Sequence, residues 1–134
     1  MVNYLTILIS GIISMFIGFL WYGPLFGKQW IKLSKITDKE IKEAKKKSMG
    51  KIYFTAFIGT LVTSLVLSLL INYLEAITFV EGAWVGFLIW IGFFVTSKIG
   101  SILWENKSVK LYLFNISYDL IVLLIAGGIL ATWD

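Results

Sequence analysis

Uncharged residues gather in four stretches of this chain. Residues 1–27 and 52–74 carry no charged side chain. Residues 82–104 and 111–133 carry one each, Lys98 and Asp119. A helix needs about 20 apolar residues to cross the hydrocarbon core of a bilayer. The pattern therefore predicts four spanning helices, at about 4–22, 52–73, 82–104 and 110–131. These use most of the chain and leave no room for a soluble domain. The expected fold class is all-α: one integral membrane four-helix bundle in the cell membrane.

Within the runs, small and polar residues recur at helical spacing. Ser10, Ser14 and Gly18 fall every four residues, as do Thr60, Ser64, Ser68 and Asn72. Gly82, Gly86, Ser97 and Gly100 share one arc of the third helix. Small residues on one face let helix backbones approach closely in lipid, so these read as packing faces more simply than as ligand contacts.

Gly23-Pro24 should end the first helix, because proline cannot continue the hydrogen-bond ladder. Around it lies the run Trp21-Tyr22-Gly23-Pro24-Leu25-Phe26-Gly27-Lys28-Gln29-Trp30. Its rings, like Trp84, Trp90 and Trp104, suit the headgroup layer, where an aromatic anchor has one wet edge. Thr37-Asp38-Lys39-Glu40 then reads as a capping box that starts a short amphipathic helix between spans 1 and 2. The first run has no basic segment before it and is expected to stay as a span, not to be removed as a signal peptide.

Charge sets an expected orientation. Residues 28–51 hold nine lysines against three acids, and Lys107 and Lys110 flank the connection between the last two helices. The connection near 75–81 has Glu75 and Glu81 and no lysine, and the chain ends in Asp134. By the positive-inside rule, loops 1–2 and 3–4 face the cytoplasm and both termini face out. Lys45-Lys46-Lys47 would then sit against anionic lipid headgroups. That accounts for the net charge of +4 without nucleic acid. Histidine and cysteine are absent. Thiolate nucleophiles, Cys/His metal sites and the usual general base near neutral pH are thereby excluded, and neither a cofactor nor an enzyme activity is expected.

Asp119 is the sharpest candidate for chemistry. It lies about ten residues, roughly 15 Å, from the lysine-rich end of the fourth helix. A carboxylate at that depth is costly unless paired, hydrated or protonated. Tyr112, Asn115 and Asp119 share one face, with Tyr118 adjacent, and Asn115 stands one turn away to hydrogen-bond the carboxyl group. Lys98 is the available partner. On an ideal helix it points away from the Gly82/Gly86/Gly100 face, so snorkelling to the surface is the expectation.

The Trp21–Trp30 run resembles the signature of domain-of-unknown-function family 1761. Lys46-Lys47-x-Met49, Leu103-Trp104-Glu105, Asn115-x-x-Tyr118 and Trp133 extend the resemblance over nearly the whole chain. It implies a small bacterial or archaeal membrane protein with four spans, and no defined activity. Two functions compete. One is an oligomeric transporter or channel-like protein using Asp119 for a small molecule or ion. The other is a structural subunit that binds a partner through its small-residue faces or basic helix. The orientation is directly testable in this cysteine-free chain. A cysteine placed at Glu75 should react with an impermeant thiol reagent on intact cells, and one at Lys107 should react only after lysis.

Overall fold

The computed structural model describes residues 3–35, 37–46 and 49–133. Four helices are long and apolar enough to span a membrane: Tyr4–Leu25, Gly50–Tyr73, Phe79–Leu103 and Val109–Thr132, hereafter spans 1 to 4. No strand occurs among the described residues. The protein is an all-α, multi-pass membrane bundle, as the runs predict. Lys47 and Asp134 lie outside the described residues, as do the side chains of Lys45, Lys46 and Met49.

Span 4 is the centre of the bundle and packs against each of the other three. Span 1 also packs on span 2, whereas spans 2 and 3 touch sparsely and leave a groove between them. Leu67, Ile71, Val85, Leu123 and Leu130 form the apolar core. Phe16, Phe54 and Phe93 stay exposed on the outside. This is the surface a lipid solvent favours, since hydrocarbon exacts no penalty for exposed apolar side chains.

The helix ends are capped by neighbours in sequence and space. Asn3 Oδ1 accepts from the N–H groups of Leu5 and Thr6. Thr6 Oγ1 donates to the Trp133 carbonyl at 3.1 Å and ties span 1 to the end of span 4. Span 3 starts at Phe79, ahead of the expected residue 82. Thr78 and Glu81 form a reciprocal capping box there, so Glu81 belongs to the helix and not to the loop.

Two short helices, not one, separate spans 1 and 2: Gly27–Ser34 and Asp38–Lys46. Lys35, at φ 58°, ends the first in the left-handed region. Thr37 Oγ1 accepts from the Glu40 N–H at 3.2 Å at the start of the second.

Spans 3 and 4 make the closest backbone approach. A Cβ built on Gly82 would collide with the Gly127 carbonyl, and one on Gly127 with the Gly82 carbonyl. A Cβ on Gly86 would strike the Leu123 carbonyl. Ser10 and Ser14 are likewise buried, with Ser10 and Ser64 hydroxyls 3.1 Å apart across spans 1 and 2. Gly18 faces the Tyr118 hydroxyl.

Gly100 departs from the expected face. The nearest group to a Cβ there is Trp104, just past the end of the same span, at 3.6 Å. The cause is a π-helical turn at Trp90–Phe94. An ideal helix advances about 100° per residue, so Gly100 would stand roughly 40° from Gly86 and Lys98 roughly 120° from it. A π-turn absorbs one extra residue and sets everything beyond it back by about 100°. Gly100 loses close contact with span 4 but still lines a cleft beside it, and Lys98 turns toward span 4.

Gly82→Leu should therefore destabilise the detergent-solubilised protein by about 2–3 kcal/mol through overpacking. Gly59→Ala, where a Cβ meets nothing within 4 Å, should stay within about 0.5 kcal/mol. Thermal or denaturant unfolding followed by helical signal measures both.

Candidate functional site

Asp119 is buried on span 4, with 7 % of its surface exposed. Lys98 Nζ donates to its Oδ2 at 2.5 Å. This ion pair corrects the expectation that Lys98 snorkels, and the π-turn is the reason. The Lys98 ammonium also lies 5.6 Å from the centre of the Phe94 ring, within cation–π range. Two further bonds fasten the same helices. Tyr112 Oη donates to the Val95 carbonyl and Trp90 Nε1 donates to the Ile116 carbonyl, each at 2.7 Å. Trp90 is therefore a fastener inside the bundle and not an interface anchor. Trp84 and Trp104 do remain exposed.

Asn115 does not serve Asp119 as expected. Its Oδ1 accepts instead from Tyr22 Oη at 2.7 Å. That bond joins the exit of span 1 to the polar face of span 4. The exit itself, Trp21–Leu25, is a kink, with Pro24 inside and Gly23 at non-helical angles (φ −119°, ψ −111°). Gly27 lies tight against the Tyr22 carbonyl, 2.9 Å from where its Cβ would stand.

This folding-back turns the exit rings inward. Trp21 packs on Phe26 (4.7 Å between centroids) and on Phe114 (5.5 Å). Tyr22 packs on Tyr118 (5.2 Å) and Trp30 (5.4 Å). Trp21 and Tyr22 thus join an aromatic cluster with span 4 and do not stand free of the bundle, while Trp30 packs on Tyr22. Lys28, one turn on, is exposed.

Two spaces meet at the ion pair. A cleft of about 460 Å³ at the lysine-rich end is lined by Ser97, Lys98, Ser101, Glu105, Tyr112 and Asn115. A groove of about 300 Å³ on the other side is lined by Ser14, Thr60, Thr63, Ser64, Tyr118 and Asp119. Lys98 borders the first and Asp119 the second, so their contact stands between them. The described residues hold no group of three metal-ligating side chains.

The structure thus brings Asp119, Lys98, Asn115, Tyr112, Tyr118 and Tyr22 into one neighbourhood. Trp90 and the glycine pair Gly127-Gly128 escaped sequence reasoning. Adjacent glycines inside span 4 were a usable signal for close helix approach. Nothing in Trp90-Ile91-Gly92-Phe93-Phe94 marks a π-turn.

The fold and site define a four-span membrane protein with an intramembrane ion pair bordering two open spaces. The family described as protein of unknown function (DUF1761) matches residues 5–131, and the chain belongs to that family. No curated protein and no solved structure matches it.

Removing one partner of the pair leaves a lone charge in the bilayer. Lys98→Met should cost on the order of 2–3 kcal/mol, at the low end for such pairs because the lysine side chain is 44 % exposed to the cleft. Combining it with Asp119→Asn should recover most of that loss. A double-mutant cycle by denaturant unfolding measures the coupling.

Proposed function

We propose that the protein is a small membrane carrier that moves a proton or another cation by exchanging partners on Asp119. Its lysine-rich end is placed in the cytoplasm and both termini outside. The observation that carries this reading is the position of the ion pair. Lys98 holds Oδ2 at the junction of the cleft and the groove, while Asp119 also borders the groove.

In the unloaded state Lys98 keeps the carboxylate charged without the cost of a lone charge in hydrocarbon. A proton or cation arriving from the groove neutralises Asp119 and releases the ammonium. The lysine stem already faces the cleft, and Glu105 on the same cleft offers a second carboxylate. Asn115 is held away from the carboxyl group by Tyr22 and leaves it free to change partner. The reading assigns no catalytic group. Four helices enclose little space alone, so a homo-oligomer is the expected working form. Exposed Lys39 and Lys42 on Asp38–Lys46 would meet anionic headgroups.

Those same lysines support a second reading, a subunit that docks an acidic partner. A stoichiometric partner retained in mild detergent would favour it. The carrier reading is tested in liposomes containing a trapped pH dye, under a potential negative inside. The wild-type protein should acidify the lumen, and Asp119→Asn should slow this at least about tenfold. An Asp119→Asn protein as fast as wild type would rule out the mechanism.

A further inference from the structure

The groove that Asp119 borders does not end at Thr63. It continues into an apolar groove of about 360 Å³ lined by Val66, Leu70, Ile89 and Phe93. The two parts share Thr63, Phe94 and Leu123, so they form one amphipathic channel along span 4 between spans 2 and 3. Val62, Val66 and Phe93 on its walls are 55 %, 48 % and 69 % exposed. Those walls face the lipid, and the channel opens sideways into the hydrocarbon.

The groove holds hydroxyls at Ser14, Ser64 and Tyr118 that can donate or accept, and beside them three groups that only accept. Thr60 Oγ1 donates to the Phe57 carbonyl and Thr63 Oγ1 to the Gly59 carbonyl, at 2.8 and 3.0 Å. Their protons are committed, so they offer only lone pairs to the groove. The Asp119 carboxylate is acceptor-only as well. Phe94 adds a ring face that already attracts the Lys98 ammonium. Acceptors, a negative charge and an aromatic face call for a cationic N–H donor. The apolar continuation calls for a hydrocarbon tail on the same molecule.

We propose that this groove binds a lipophilic primary or secondary ammonium ion taken from the bilayer. Its head meets Asp119, Thr60 and Thr63, and its tail runs past Val66 towards Leu70. Such a head has N–H groups for all three acceptors, which a quaternary ammonium lacks. It competes with Lys98 for the same carboxylate, and so names a substrate class for the carrier reading on which it rests.

Binding of radiolabelled decylamine to the full chain in phosphatidylcholine nanodiscs tests this, with empty nanodiscs as the blank. Saturable binding of one amine per chain is expected, without competition from decanol or decanoate. Val66→Trp, which fills the tail channel at a lipid-facing position, should weaken it at least tenfold. Asp119→Asn should do the same, with a folded state confirmed by its unfolding transition. Equal competition by decanol, or wild-type affinity in Val66→Trp, overturns the proposal. So does efficient disulfide crosslinking between two Val66→Cys chains with no amine bound, which would make a second copy the occupant. Amine binding without movement of either amine or proton across the membrane sinks the carrier reading alone, and proton movement without amine binding sinks this proposal alone.

Discussion

The contact between spans 3 and 4 is the constraint on which the rest of this molecule depends. Hydrocarbon offers no partner to a charge, so each ionisable group at depth must find one inside the protein. Asp119 finds Lys98, and only because two backbones run close enough for a lysine to reach across. Gly82, Gly86 and Gly127 permit that approach. The π-turn at Trp90–Phe94 then sets the rotation of everything beyond it. Packing and electrostatics are thus one problem here. Glycines bring the helices together, and a single extra residue in one turn decides which side chain meets which.

The exit of span 1 is tied into the same arrangement. Its backbone is broken by Gly23-Pro24, but its rings fold back on Phe114 and Tyr118, and its tyrosine holds Asn115. The short helix Gly27–Ser34 packs on this exit and on span 4. The run that carries the family resemblance and the intramembrane carboxylate form one contiguous structure. That gives the run a mechanical place in the molecule beyond marking a membrane boundary.

The bundle is also asymmetric. Span 4 is held on three sides, while spans 2 and 3 leave one face open. A tightly closed four-helix core would have no use for Thr60, Thr63 and Asp119 along that opening. Asp119 is met there by Lys98, and the Thr60 and Thr63 hydroxyls bond backbone carbonyls, so these groups are tolerated at the opening.

Much of the fold was legible along the chain, because a bilayer punishes polarity in a one-dimensional way. The length and spacing of uncharged runs placed all four spans to within a few residues. The Ser10/Ser14/Gly18 and Gly82/Gly86 spacings marked faces that do pack. Asp119 stood out because a lone carboxylate in a long apolar run needs a reason. Partner choice was not legible. Helical-wheel reasoning assumes 3.6 residues per turn throughout, and the π-turn at Trp90–Phe94 breaks that assumption, taking Gly100 out of close contact with span 4 and turning Lys98 toward it. The same limit hid the inward turn of Trp21 and Tyr22, whose amphipathic rings satisfy a headgroup layer and a helix face equally well. The sequence by itself determined how many helices cross and where a buried charge must be answered. Which group answers it was left to tertiary packing, because that depends on helix rotation and approach, quantities that no local pattern of residues encodes.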